Sequence, residues 1–296
     1  MSALGALPAP IRATAADLPP PVAEALTEAL EGRRSIVSAA GIPFATIEWG
    51  ARATRPILLV HGVTSSSAVW WRTGPALAAA GWRVVAIDMP GHGGTGHWNG
   101  HHRFRDAAGD VATFARAAGI AGEDLVALGH SWGAGIAAEL PRSGLRPARL
   151  VLLDPVVLPR PLIAAMLDDP VERPYDDLAE AMRAIGTANR TWSYGDVLAK
   201  AEALTQVDPE AARAILLDNG DWDGGLAALG DRAGAGLETW VIRGQPPTGG
   251  LMPDEALPAF AAAIGAERIR TVEGGPHSPQ RSHPEAFLVA LLRALA

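Results

Sequence analysis

The 296-residue chain contains no cysteine, which excludes disulfides, thiolate metal sites and a cysteine nucleophile together. It has no basic stripe either. Its 25 Lys and Arg are scattered against 32 Asp and Glu, for a formal net charge of −7, so nucleic acid is not an expected partner. Apolar runs such as PALAAAGW are short and flanked by breakers, so no membrane span is expected. The first 35 residues lack a basic start followed by an unbroken apolar run; no secretory signal is expected, and the cytoplasm is the default compartment. No internal repeat or low-complexity tract interrupts the chain. His97, His101 and His102 cluster in GHWNGHHR, but no carboxylate or cysteine joins them at ligand spacing, and no metal site is expected there.

What is present reads as a globular α/β protein. Hydrophobic residues make up 48% and charged residues 19% of the chain, and the length suffices for one large domain with a sizeable core. SIVSAAG and FATIEWG read as a strand pair, with a turn at Gly41-Ile42-Pro43. PILLVHG (56–62) is a continuous apolar run ending in glycine, which suits a strand buried on both faces. Helical AVWWRTGPALAAAG, strand WRVVAIDMPGHG, helical RFRDAAGDVATFARAAG, strand LVALGHS, helical WGAGIAAEL and strand RLVLLDP then alternate. That order predicts a mostly parallel central sheet with helices on both faces.

The alternation breaks between Val156 and Gly236, where DDLAEAMRAIG and GDVLAKAEAL are helical in period, and returns at LETWVIRG (237–244). The expected organisation is therefore a loosely held N-terminal arm over 1–34, an α/β core from 35–155 and 237–296, and a helical cap or lid over 156–236.

One motif carries chemistry. In LVALGHSWGAG, Ser131 lies in Gly129-His130-Ser131-Trp132-Gly133, a G-x-S-x-G pattern with an apolar strand before it and a small-residue helix after it. A sharp turn between strand and helix presents a serine hydroxyl, and side chains two residues either side would collide. Serine needs a neighbouring base to act as a nucleophile at neutral pH. Of eight histidines, His61 and His92 lie in turns that they are expected to brace, and His283 before Pro284 is expected to cap the last helix. His277, in a glycine-rich loop after the last strand of the sequence, can reach over the sheet edge to Ser131.

Five ordered segments resemble the α/β-hydrolase family over residues 35–296: HGVTSSS, DMPGHGGT, GHSWG, LLDP and GGPHSPQRSHPEAF. The resemblance implies the α/β-hydrolase fold, with Ser131 as nucleophile and His277 as general base and then acid. It also implies an oxyanion hole from the backbone N–H groups of Val63 and Trp132. The family's usual triad acid, about three residues after the glycine of TWVIRG, is missing here; Gly244-Gln245-Pro246-Pro247 stands in its place. Asp154 in LLDP occupies the family's alternative position and is the favoured acid, with Asp254 the alternative and Glu255 behind it. Asp88 is expected to hold its loop by hydrogen bonds, without a catalytic role.

Nine tryptophans are present; Trp70, Trp71, Trp98, Trp132, Trp192 and Trp222 flank the expected site loops or lie in the cap, and they suit a small apolar or aromatic acyl substrate. The reading is a serine hydrolase of a carboxylic ester, lactone or related acyl compound, needing no cofactor. Alternatives are other Ser-His-Asp chemistry on the fold (C–C bond hydrolase, cofactor-free haloperoxidase, acyltransferase) or a non-catalytic small-ligand binding protein. The sequence does not encode the oligomeric state in readable form.

Overall fold

Strand β3 (Arg55–Val60) shows why the sheet forms. Ile57, Leu58, Leu59 and Val60 are all fully buried, because Leu58 and Val60 face one apolar layer while Ile57 and Leu59 face the other. Each such side chain contributes roughly 1.5–3 kcal/mol relative to an exposed position, and a strand wet on either face would forfeit half of that. The computed structural model of the chain describes residues 7–28, 30–96, 98–231 and 236–296; His97 lies outside them.

The remaining sheet strands are β1 (Arg33–Ala39), β2 (Ile42–Trp49), β4 (Trp82–Ile87), β5 (Val126–His130), β6 (Arg149–Leu153), β9 (Glu238–Arg243) and β10 (Ile269–Thr271). Two short strands, β7 (Val157–Leu158) and β8 (Trp222–Asp223), form a separate antiparallel pair. The eight strands run in the order β1-β2-β4-β3-β5-β6-β9-β10, with β2 antiparallel to both of its neighbours, β1 and β4, and the other five pairings parallel. Helices α1 (Pro20–Thr27), α2 (Thr73–Ala79) and α12 (Pro284–Leu295) cover one face; α3 (Phe104–Ala117), α4 (Trp132–Glu139) and α10 (Leu257–Ile264) cover the other. This is the α/β-hydrolase fold.

Between β6 and β9 the chain lays down α5 (Arg160–Ala165), α6 (Leu178–Ala188), α7 (Tyr194–Gln206), α8 (Pro209–Asp218) and α9 (Leu226–Leu229). Helices α6 and α7 share a small core of their own around Tyr175, Ile185, Val197 and Leu204. Ser193 and Asp196 close a capping box at the start of α7, and Asp208 caps α8, which fixes where each helix begins. A one-turn helix α11 (Pro279–Ser282) precedes α12.

Three expectations are corrected. The arm is not loosely held: Ile11, Leu18, Val22 and Leu26 are buried in the α1/α2/α12 layer, and Ile11 bridges Val272 beyond β10. The β1–β2 turn lies at Ala40-Gly41, both at positive φ (49° and 83°), because a two-residue hairpin needs that backbone; Pro43 is already in the strand, opposite Ser38. The segment 68–81 is not one helix, since a 3-10 turn over Ser67–Trp70 precedes α2.

Candidate active site

Strand order reverses around β3: its chain successor β4 lies on one side and β5 on the other. In open α/β sheets ligands bind beyond the strand C-termini at such a switch point. Here β3 delivers His61-Gly62-Val63 and β5 delivers Ser131.

Ser131 sits at φ 58°, ψ −119°, a conformation that L side chains adopt only when their surroundings enforce it. Its N–H donates to Leu153 O (3.0 Å) and its carbonyl accepts from Ala134 N (3.0 Å). The glycines of the motif are steric necessities. A Cβ on Gly129 would stand 1.9 Å from the carbonyl oxygen of Gly133, and one on Gly133 would stand 2.5 Å from that of Val60.

His277 and Ser131 line one cavity of about 580 Å³. His277 Nδ1 lies 2.7 Å from Asp154 Oδ2. Asp154 is fully buried at φ 39°, and its carboxylate accepts two backbone N–H groups, Gly244 to Oδ1 (2.8 Å) and Leu251 to Oδ2 (2.9 Å). The loop that lacks an acid thus wraps the carboxylate supplied by β6. Gln245 from the same loop holds the histidine loop, its N–H donating to Gly275 O (2.7 Å) and its Oε1 accepting from Gly274 N (2.6 Å). Asp254 does not approach His277; its side chain is mostly exposed and pairs with Arg243 at 2.6 Å.

The loop after β3 is clamped at three successive carbonyls. His61 Nε2 accepts from Met89 N (3.1 Å), so Nδ1 carries the proton and donates to Gly62 O (2.8 Å). That bond orients the peptide whose N–H belongs to Val63. His92 Nε2 donates to Val63 O (2.5 Å), and its ring stacks on Trp132 at 5.6 Å. Lys200, from α7, donates to Thr64 O (2.6 Å) and Oγ1 (2.7 Å) and pairs with Glu172. Trp132 occupies the first turn of α4, where a backbone N–H has no intrahelical acceptor.

Burial keeps these histidines neutral. It drives His61 down to about 3, helped by the nearby His92, and lowers His92 against the opposing pull of the Pro90 and Val63 carbonyls. His130 is held well below its ordinary value by burial and then by His277; its Nε2–H donates to His277 O (2.8 Å) and its ring lies 4.8 Å from that of His277.

Asp88 accepts from Ser67 N (2.5 Å) and Gly94 N (2.8 Å), bracing the two loops. His283 occupies the N-cap position of α12 but makes no side-chain cap bond, its Nδ1 lying 2.9 Å from Ser282 Oγ. Of the tryptophans, Trp192 and Trp222 line the cavity, whereas Trp70 and Trp132 are packed in the core and Trp71 bonds Asp196 (3.0 Å). Lys200, Glu172, Gln245 and His130 carry no sequence signal for these contacts. Arg281, four residues after His277 and also lining the cavity, could have been marked by that spacing.

The alpha/beta hydrolase family model matches residues 57–291, and the chain belongs to that family. Epoxide hydrolase B of Mycobacterium tuberculosis is 37% identical over 83 residues, 27% of this chain and 23% of that protein. A non-heme haloperoxidase of Rhodococcus erythropolis is 32% identical over 152 residues, 51% and 53% of the two chains. The matches therefore span about a quarter and about half of these relatives. The structure of E-2-(acetamidomethylene)succinate hydrolase superposes with TM-score 0.73 at 18% identity, covering 89% of this chain and 99% of that one; the likeness is one of fold. Among the described residues no helix is long and apolar enough to cross a membrane.

Proposed function

We propose that the protein is a serine hydrolase acting on a carboxylic ester, lactone or related acyl compound, with the helices of 156–236 forming a cap over the site. The observation that carries this reading is the 2.7 Å contact of Asp154 with His277 in a cavity that Ser131 also lines. Asp154 would hold the His277 tautomer with its proton on Nδ1, leaving Nε2 to take the Ser131 proton. Ser131 Oγ would attack the acyl carbonyl, and the Val63 and Trp132 N–H groups would stabilise the oxyanion. His277 would then protonate the leaving group and activate the water that frees the acid from the acyl-enzyme.

Serine at the elbow argues against the epoxide chemistry of one relative. Opening an epoxide on serine would leave an ether that water cannot cleave, whereas a carboxylate nucleophile leaves a hydrolysable ester. Val156, Met166, Leu216 and Trp222 give the cavity an apolar stretch for the acyl body. Wild-type protein is expected to be labelled covalently by a fluorophosphonate probe, and Ser131→Ala to lose the label. An unlabelled wild type favours the non-catalytic ligand-binding alternative.

A further inference from the structure

Arg281 lies on α11 and lines the same cavity as Ser131 and His277. It is 4% exposed, yet only one of its three nitrogens has a side-chain partner: Nη2 donates to Ser65 Oγ at 3.3 Å, while Nε and Nη1 are buried without any. Trp192 from the helical insertion holds the guanidinium against its ring face, 4.6 Å from the centroid. The backbone is fixed as well, since Arg281 O accepts from Arg72 Nη2 at 2.8 Å.

Its cationic neighbours are paired, and it is not. Arg72 is bonded to Asp196 and Lys200 to Glu172. Among the described residues no carboxylate lies within ion-pair distance of Arg281; Asp196 and Glu172 reach it only through their fields. Arg72 and Lys200 thus each have a carboxylate of their own, with Asp169 at the same cavity also acting on Lys200, whereas Arg281 has none in contact. Burial lowers the Arg281 guanidinium to about 10, with Asp196 and Glu172 pulling it back up, so it is charged at neutral pH. A buried, unpaired charge with idle donors is costly, and evolution rarely retains one without a counter-ion. A guanidinium offers two parallel N–H groups to a planar carboxylate, a geometry that an ammonium cannot reproduce.

We propose that the acyl substrate carries a carboxylate, distinct from the scissile carbonyl, that docks on Arg281, making the enzyme selective for half-esters and similar monoanionic acyl compounds. This specificity rests on the hydrolase reading of Ser131. The apolar stretch of the cavity accommodates the chain between the two ends of the substrate.

The probes are mono-(4-nitrophenyl) adipate and its neutral methyl ester, with nitrophenolate release as the readout. Wild type is expected to favour the half-ester in kcat/KM by on the order of ten- to a hundredfold, the span of a charge-assisted hydrogen bond. Arg281→Gln should bring the ratio to about one, chiefly through KM, and Arg281→Lys should keep part of it, since charge survives but the fork does not. Adipate should compete with neutral-ester turnover by wild type, and adipamide should not. A fluorophosphonate-labelled wild type that treats both esters equally overturns the proposal and leaves the hydrolase reading intact, as does a preference that survives Arg281→Gln. If the probe does not label Ser131, the hydrolase reading fails. Calorimetric titration with adipate then decides the anion site: binding lost in Arg281→Gln supports it, and no binding to wild type overturns it. If Arg281→Gln does not fold by circular dichroism, Arg281→Lys and the adipate–adipamide competition decide.

Discussion

The two walls of the cavity are built differently. On the sheet side, Asp154, His277 and the Val63 peptide are held by backbone N–H groups and by neutral buried histidines. On the side of the helical insertion, Lys200, Glu172, Arg72, Asp196 and Arg281 form a charged network reaching the core loops at Thr64 and Ser65. The first wall has little freedom, because its contacts close within strand ends and tight turns. The second depends on long side chains meeting across the gap between two substructures. On the proposed reading, the geometry of the acyl chemistry would lie with the backbone, and the charge that selects a ligand would lie with the side chains.

The sharpest break in that contrast is Asp154→Asn. It keeps the size of the side chain, but its NH2 must face the backbone N–H of Gly244 or Leu251 and it cannot hold the same imidazole tautomer, so kcat toward a 4-nitrophenyl ester should fall by about 10⁴, with stability measured alongside. A smaller drop would mean that the backbone cradle does not position His277 through this carboxylate.

Acid should weaken the histidine-built wall next. Unfolded histidines titrate near 6.5, while folded His61 stays neutral down to about 3, and His92 and His130 are also lowered. Below about 6.5 the unfolded chain therefore binds protons that the folded chain refuses. Stability is retained above that pH and lost as pH falls toward 3, at no more than about 4 kcal/mol per pH unit for three protons. Urea melts at pH 7, 6 and 5 measure this; a flat profile would contradict the neutral state of these rings.

Glu172→Gln tests the other wall. It leaves buried Lys200 without its carboxylate and should cost about 3 kcal/mol or less, the partial exposure of Glu172 moderating the loss. The double variant Glu172→Gln/Lys200→Met should recover part of it. Recovery of stability without recovery of kcat would mark Lys200 as a positioning residue for the Thr64 end of the loop. The smallest effect belongs to Asp254→Asn, which should leave turnover within about twofold, because the exposed Asp254 carboxylate does not line the cavity and buried Arg243 keeps its bonds to Thr271 and Met252.

The fold was legible from local signals: PILLVHG reads as a strand buried on both faces, and Gly81 and Gly119 stop their helices at positive φ. The hairpin turn was misplaced because Pro43 resembles a turn residue, whereas the φ values of Ala40 and Gly41 belong to the formed ribbon. The arm was misread because prolines and polar residues break up its apolar residues, and their burial depends on α12, which lies more than 250 residues away.

The sequence by itself determined the strand–helix alternation, the elbow and its two glycines, since steric exclusion and hydrophobic period act between near neighbours. It also marked Ser131, His277 and Asp154 as candidates. Only the tertiary structure decided which carboxylate meets His277, which carbonyls His61, His92 and Lys200 clamp, and that Arg281 has no carboxylate of its own. Ion pairing and hydrogen bonding between residues such as Asp154 and His277 depend on angstrom-scale approach, and chain closure sets that distance without writing it into either neighbourhood.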